Sequence, residues 1–196
     1  MVALTKILHK QVQDVSKGFG KPPPLSEEAL KLLQPSHKPE QFIELLAGKK
    51  MWHDATMFLA FALPKREAVW WVLQCCKQAI GQAPAPAIAN AIQVTEKWVI
   101  EPTEQSRRAT QAAAEAAEMS SPAGMIALAA FMSGGSIAPD KVREEIYPPE
   151  HITPLLLGAA VKSCSVLPKP EKADEKLQQY YLLGVEVATG KSVWKK

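Results

Sequence analysis

The sequence lacks the features that mark secreted and membrane-spanning proteins. It holds only three cysteines in 196 residues, an odd number that cannot pair completely within the chain. A secretory leader would need an uninterrupted apolar stretch, and Lys6, His9 and Lys10 interrupt the first twelve residues. No apolar run reaches the roughly 20 residues that cross a bilayer. We therefore expect free thiols, a cytoplasmic location and no membrane insertion.

Charge of one sign is also scarce. The formal net charge is +3, and acidic residues are interleaved with basic ones along most of the chain. Nucleic-acid binders concentrate basic residues on one face, so we expect no nucleic-acid partner. The basic clusters are short, and they are Lys49-Lys50, Lys65-Arg66, Arg107-Arg108 and Lys195-Lys196.

What the chain does contain is typical of a globular helical protein. Hydrophobic residues make up 47% of the sequence, and 16 prolines divide it into short segments of helical periodicity. The predicted fold is all-α, with about nine or ten short helices in one compact bundle or an irregular stack of helix pairs. Helices are predicted over about 26–34, 39–48, the two halves of 52–80, 87–100, 103–118, 122–132, 139–146, 153–166 and 171–188.

The stretch from Trp52 to Ile80 is the predicted centre of the fold. Two apolar segments flank Pro64, which favours a helix, a sharp turn and a second helix. Trp70 and Trp71 lie about 100° apart on the second helix and must face different neighbours. A helix that is apolar over so much of its girth is usually surrounded by others. We therefore expect Trp71 to lie in the core.

The two ends of the chain differ in composition from the rest. Residues 1–24 are predicted to form an N-terminal arm or linker, which ends in a triple proline that favours an extended spacer. This arm is either mobile or docked on the body, and its polar character predicts that removing residues 1–20 costs little stability. Residues 25–190 are predicted to form a single helical domain, and residues 191–196 a tail anchored by Trp194.

The residues that could carry chemistry do not form a recognisable catalytic or metal motif. His53 and Asp54 are adjacent, and neighbours on a helix do not share a face. Cys75 and Cys76 lack the Cys-x-x-Cys spacing of redox motifs, which favours buried, unreactive thiols. We therefore expect no catalytic residue, no metal and no cofactor.

The charged tripeptide Lys65-Arg66-Glu67 is unusual because two cations at a helix start oppose the helix dipole. One interpretation is that Glu67 or Asp54 pairs with these cations. The other is that Lys65, Arg66, Glu67 and Trp70 form a partner-binding surface. On the second interpretation, replacing Arg66 by Glu changes stability by less than about 1 kcal/mol.

Two stretches resemble a known group of proteins. Leu63 to Trp71 (LPKREAVWW) and a block from Pro102 to Pro139 that includes AAF and SGGSIAP are similar to a bacterial family of uncharacterised small helical proteins. The resemblance covers roughly residues 50–140 and implies an association with type VI secretion gene neighbourhoods. The family pattern has a tryptophan where this chain has Met125 or Met132, and no catalytic residue transfers.

The leading hypothesis is a non-enzymatic cytoplasmic adaptor or accessory protein, linked to a bacterial secretion system, that binds another protein. The alternative is a small hydrolase or transferase with a site formed by Trp52, His53, Asp54, Arg66 and Glu67. Neither hypothesis identifies the partner or the oligomeric state.

Overall fold

Proline and hydroxyl caps set most helix boundaries in this chain. The structure is a computed structural model that describes residues 3–139, 142 and 144–194. These residues contain ten α-helices and no strand, which confirms the all-α prediction. The helices are α1 (Val12–Ser16), α2 (Glu27–Leu32), α3 (Pro39–Gly48), α4 (Trp52–Ala62), α5 (Lys65–Ile80), α6 (Pro86–Ile100), α7 (Glu104–Ala116), α8 (Pro122–Phe131), α9 (Ile152–Ser165) and α10 (Ala173–Ala188).

Three helices begin after a hydroxyl residue that caps the first turn. The side chains of Ser26, Thr103 and Ser121 accept hydrogen bonds from the backbone N–H three residues later in α2, α7 and α8. Each bond satisfies one of the amides that the first helical turn leaves without a partner. These boundaries are therefore local properties of the sequence.

The helices α4 and α5 form the centre of the fold, but they are not packed along each other. Both pack mainly against α9 and α10, while α3 covers α4 and α8 covers α5. Trp71 is fully buried, as predicted, and its indole N–H donates to the Tyr180 carbonyl at 2.7 Å. A Cβ on Gly184 would lie 2.7 Å from the Trp71 ring, so α10 can approach this tryptophan closely only because residue 184 is glycine.

The helices α6 and α8 pack against α5 at one flank of this centre, and α7 packs against α6 and α8. Small buried side chains lie at their contacts, including Ala91, Ala113, Ala114 and Ala127. Alanine has the highest helix propensity and lets helix backbones approach closely. The alanine-rich sequence of α7 thus favours both the helix and its close packing.

The N-terminal arm is docked on the body. Leu4, Val12 and Val15 are buried, and the Lys6 N–H donates to the Ala188 carbonyl at 2.9 Å. Phe19 lies edge-on against Phe61, with ring centroids 4.9 Å apart. The expectation that residues 1–20 contribute little to stability is therefore not supported by this packing, because the arm buries three apolar side chains.

The predicted helix over 139–146 is wrong for its described part. Residues 139, 142 and 144–146 are not helical, while 140, 141 and 143 lie outside the described residues. The Ile137 N–H donates to the Ile146 carbonyl, and the Ile146 N–H donates to the Ser136 hydroxyl. The second bond occupies the Ile146 N–H, which a helix would bond to its own preceding turn, and both bonds fold the segment back as a loop.

Candidate functional site

The elbow between α4 and α5 separates its charged residues onto different neighbours. Pro64 has an extended conformation and precedes the first helical residue, Lys65. The Lys65 ammonium pairs with the Glu150 carboxylate at 2.6 Å. The interpretation that Glu67 or Asp54 holds the cations is therefore wrong for Lys65, whose partner comes from the start of α9.

Arg66 binds the end of another helix. Its Nε donates to the Val99 carbonyl at 2.7 Å and its Nη2 to the Ile100 carbonyl at 3.1 Å, both in the last turn of α6. The guanidinium also lies 4.3 Å from the centre of the Trp194 ring. A cation at a helix C-terminus is favourable, and it satisfies carbonyls that the helix leaves unpaired. The predicted small effect of replacing Arg66 thus needs revision upward.

Trp70 faces the C-terminal segment of the chain. Its ring is edge-on to Trp194 with centroids 6.3 Å apart, and its indole N–H donates to the Ser192 hydroxyl at 3.4 Å. Trp70 and Trp194 line an open groove of about 310 Å³ together with Glu96, Ile100 and Val193. We call this set of five residues the tryptophan groove.

A second concavity lies on the other side of the elbow. Residues of the N-terminal arm, of the α4–α5 elbow and of the start of α9 enclose a cavity of about 320 Å³. Its polar lining residues with acidic or basic side chains are His9, Asp14, Lys65 and Glu150. We call it the arm cavity. Sequence reasoning identified Lys65 but missed the other three, because they lie far apart in the chain.

The residues of the alternative enzymatic site are not brought together. Asp54 lies near the start of α4, and its carboxylate accepts hydrogen bonds from the Ser26 N–H at 2.7 Å and the Ser26 hydroxyl at 2.9 Å. The elbow follows about nine residues later, which is about 13 Å along a helix. Arg66 is engaged there with α6 and Trp194. Asp54 therefore acts on α2, away from Arg66.

Of the other three residues of that alternative site, Glu67 lies half-buried in the first turn of α5, beside Arg66, and Trp52 and His53 have separate contacts at the start of α4. Trp52 lies against Tyr181, with ring centroids 5.6 Å apart. Burial lowers the pKa of His53, and the nearby Lys162 lowers it further. Within the described residues, the His53 Nδ1 has no hydrogen-bond partner. These contacts are typical of packing at the start of α4.

The three cysteines are free and buried in the core. Burial raises the pKa of the Cys75 thiol well above its usual value. A hydrogen bond with Cys76 is the main cause that raises the pKa of Cys164, and burial raises it further. Their slow reaction with alkylating reagents stays a prediction. Among the described residues, no cluster of histidine, cysteine and acidic side chains has the arrangement of a metal site.

Arg107 is the most highly connected polar residue that sequence reasoning missed. It is 5% exposed, and its guanidinium donates to the carbonyls of Phe131 and Ser136 and to both Glu104 oxygens. Arg108 adds bonds to Glu104 and to the Ala138 carbonyl. The only sequence signal was an arginine pair three and four residues after Glu104, which is a common surface pattern.

The turn that follows α8 and contacts Arg107 requires glycine at position 135. Gly135 has a φ of 66°, and a Cβ at this position would lie 3.0 Å from the Arg107 guanidinium. Two parts of the resembling block from Pro102 to Pro139, around Arg107-Arg108 and around Ser133–Pro139, therefore meet in space. Together they stabilise the end of α8, because Arg107 donates hydrogen bonds to the carbonyls of Phe131 and Ser136.

The fold and these contacts define a small all-helical domain with two surface concavities on either side of an elbow. The chain belongs to the family of unknown function DUF6931, whose model matches residues 42–188. This match confirms the prediction of an uncharacterised family and is longer than the expected 50–140. Comparison with curated proteins and with solved structures found no match. No helix in the described ranges is long and apolar enough to cross a membrane.

The family match leaves out both terminal segments, 1–41 and 189–196. The arm cavity contains His9 and Asp14 from the first of these, and the tryptophan groove contains Val193 and Trp194 from the second. Both concavities thus combine residues inside the matched range with residues outside it.

Proposed function

We propose that this chain is a protein-binding accessory domain, and that it holds an extended segment of its partner in the tryptophan groove. The observation that carries the proposal is the grouping of Trp70, Trp194, Ile100 and Val193 around one open concavity. Tryptophan is enriched among residues that dominate binding energy at protein interfaces. The groove includes Trp70, one of the four residues predicted from the sequence to bind a partner.

The apolar rim of the groove supports a protein partner. Val193 is 52% exposed and Ile100 is 37% exposed, and they adjoin the two half-buried indoles. Exposed apolar side chains that cluster around a concavity mark interaction sites more often than scattered ones do. Arg66 lies over the Trp194 ring and helps to fix its orientation, which lowers the entropic cost of binding.

The charge of the groove indicates the chemistry of the partner. Glu96 is its one charged lining residue among the described residues, and its carboxylate pairs with Lys77 at 2.6 Å. A lysine or arginine of the partner could bind the same carboxylate and contact an indole face. The partner segment therefore carries an apolar anchor next to a basic residue.

The cellular setting of the proposal rests on the sequence. The free, buried thiols support a cytoplasmic location. The resemblance to a bacterial family supports an accessory or adaptor role in a type VI secretion system.

The test uses a photo-reactive amino acid at Val193 in the native cell. The matched control is Leu182, which is 53% exposed but lies on α10 outside the groove. We expect one defined protein to crosslink from position 193 and not from position 182. Equal crosslinking from both positions, or none from 193, contradicts the proposal.

A second experiment measures binding of the crosslinked partner after purification. Ile100→Glu should weaken binding by about tenfold or more, because a second carboxylate then lines the apolar groove together with Glu96. Leu182→Glu should leave binding within about twofold, since surface changes outside an interface are near neutral. Similar losses in both variants would place the interface elsewhere.

A further inference from the structure

The arm cavity has walls from three parts of the chain. The N-terminal arm contributes residues 9–18, the elbow contributes 60–65, and the start of α9 contributes 150–157. Its volume of about 320 Å³ lies at the lower end of the range of small-molecule sites, which is about 300–1,000 Å³. The cavity can therefore hold a small molecule.

The floor of the cavity is apolar. Phe61, Leu63 and Leu157 line it, and each is less than a tenth exposed. These side chains belong to the core cluster, so the floor is held in place by packing on its far side. It offers a fixed surface for an aliphatic or aromatic group.

The rim of the cavity carries charges of both signs. Asp14 and His9 lie on the arm side, while Lys65 and Glu150 lie on the body side. The Lys65–Glu150 pair is 2.6 Å long, yet the Glu150 side chain is 83% exposed. An ion pair with one member so exposed contributes little, so a ligand can replace it at low cost.

We propose that the arm cavity binds a small zwitterion with an apolar side chain, which is the chemistry of a free apolar α-amino acid. The ligand carboxylate pairs with Lys65, and the ligand ammonium pairs with Glu150, since Asp14 is already paired with Lys17 at 3.3 Å. The side chain lies on the floor formed by Phe61, Leu63 and Leu157.

The charge balance of the rim favours a zwitterion over an ion of one sign. A ligand with a carboxylate alone would take Lys65 from Glu150 and leave the Glu150 carboxylate without a partner. A ligand with an ammonium alone would compete with Lys65 for Glu150. A zwitterion offers both Lys65 and Glu150 a partner of opposite sign.

The first test is calorimetric titration of the full chain with leucine, methionine and phenylalanine. The analogues are isocaproate, which lacks the ammonium group, isoamylamine, which lacks the carboxylate, and glycine, which lacks the apolar body. We expect saturable binding of at least one apolar amino acid in the millimolar range or tighter. The three analogues should bind at least about tenfold more weakly.

The second test uses a matched pair of lysine variants. Lys65 and Lys77 each pair with a glutamate at 2.6 Å, and their side chains are 30% and 35% exposed. Lys77 lies outside the cavity. Lys65→Met should weaken binding by about tenfold or more, and Lys77→Met should leave it unchanged.

A third variant separates the two ligand charges. Glu150→Gln changes an exposed side chain, so folding should be preserved, as circular dichroism can verify. It should weaken leucine binding while leaving isocaproate binding unchanged or stronger. The proposal is overturned if no apolar amino acid binds saturably, if isocaproate binds as well as leucine, or if both lysine variants behave alike.

Discussion

Two arginines in this fold bind backbone carbonyls at the ends of helices, but their surroundings differ. Arg107 is 5% exposed and joins the end of α8 to the turn that follows it, with Glu104 as a charged partner. Arg66 is half-buried and joins the start of α5 to the end of α6, with the Trp194 ring as its additional contact. The first arginine is enclosed by the fold, while the second lies at its surface.

The comparison shows that hydrogen bonds from arginine to backbone carbonyls can have two different roles in one fold. A buried guanidinium that loses its partners, or carbonyls that lose their guanidinium, cost much more than the same loss in water. Arg107 is therefore expected to be a requirement of the fold. Arg66 stabilises the fold less, and it supports Trp194 at the edge of the tryptophan groove.

The largest effect is expected from Arg107→Met. The change leaves the buried Phe131 carbonyl without its side-chain donor, while the Ser136 carbonyl keeps only its bond from Arg108. It should lower the free energy of unfolding by about 3–5 kcal/mol, because an unpaired buried carbonyl costs about 1–3 kcal/mol and a lost hydrogen bond from a charged group costs about 1.5–3 kcal/mol. That is a large part of a typical total of about 5–15 kcal/mol. Urea denaturation followed by circular dichroism measures this loss. A loss below about 1 kcal/mol would show that water replaces the guanidinium without cost.

The next effect concerns the turn against Arg107. Gly135→Ala introduces a Cβ at a positive φ and within 3.0 Å of the guanidinium, and it should cost roughly 2–3 kcal/mol. Gly190→Ala is the matched control, because φ is also positive there but the nearest atom lies at 3.6 Å. The control should cost about 1–2 kcal/mol in the same denaturation experiment. Equal losses of stability in the two variants would mean that the Arg107 side chain moves away from the new Cβ without cost.

Arg66→Met should lower stability less than Arg107→Met or Gly135→Ala does. It removes two hydrogen bonds at a half-buried site while keeping most of the aliphatic contact, and it should cost about 1–2 kcal/mol. Arg66→Lys should recover less than half of this loss, since an ammonium lacks the fork that reaches both carbonyls. A loss as large as that of Arg107→Met would remove the distinction between the two sites.

The smallest effect is a difference in pH dependence. The hydrogen bond from Arg107 lowers the pKa of Glu104 below its model-compound value of 4.5, and Arg108 lowers it further. This contribution to stability is present above pH 4.5 and is lost as the pH falls through the lower pKa of the folded state.

The two arginine variants should therefore respond differently to acid. The stability gap between wild type and Arg107→Met should narrow by less than about 1 kcal/mol below pH 4.5, because Glu104 is largely exposed. The gap for Arg66→Met should stay constant, since its acceptors are carbonyls that do not titrate. Denaturation curves at pH 7 and at pH 3.5–4.5 measure both gaps. If both stability gaps narrow equally, acid destabilises the fold in general and the titration of Glu104 is not the cause.

Most of the helices could be predicted from the sequence because their signals are local. The caps at Ser26, Thr103 and Ser121 and the apolar girth of α5 are read directly from neighbouring residues. The helix predicted over 139–146 was wrong in its described part because bonds from Ser136 and Ile137 to Ile146 override local propensity there.

The candidate sites were less predictable because their parts meet only after folding. The carbonyl partners of Arg107 lie 24 and 29 residues away in the chain, and no local sequence pattern predicts them. The arm cavity likewise depends on His9 and Glu150, which lie at distant positions in the chain. Trp70 was identified because paired tryptophans at a charged elbow are conspicuous, but its partner Trp194 was interpreted only as a tail anchor.

The bond between the Lys6 amide and the Ala188 carbonyl has a consequence for engineering. It places the two ends of the fold next to each other, and the Thr5 hydroxyl adds a second bond to the Thr189 carbonyl. Ends that lie side by side can be joined by a short linker and reopened at an exposed loop, such as residues 81–84. A circular permutant of this kind would place its new ends between α5 and α6.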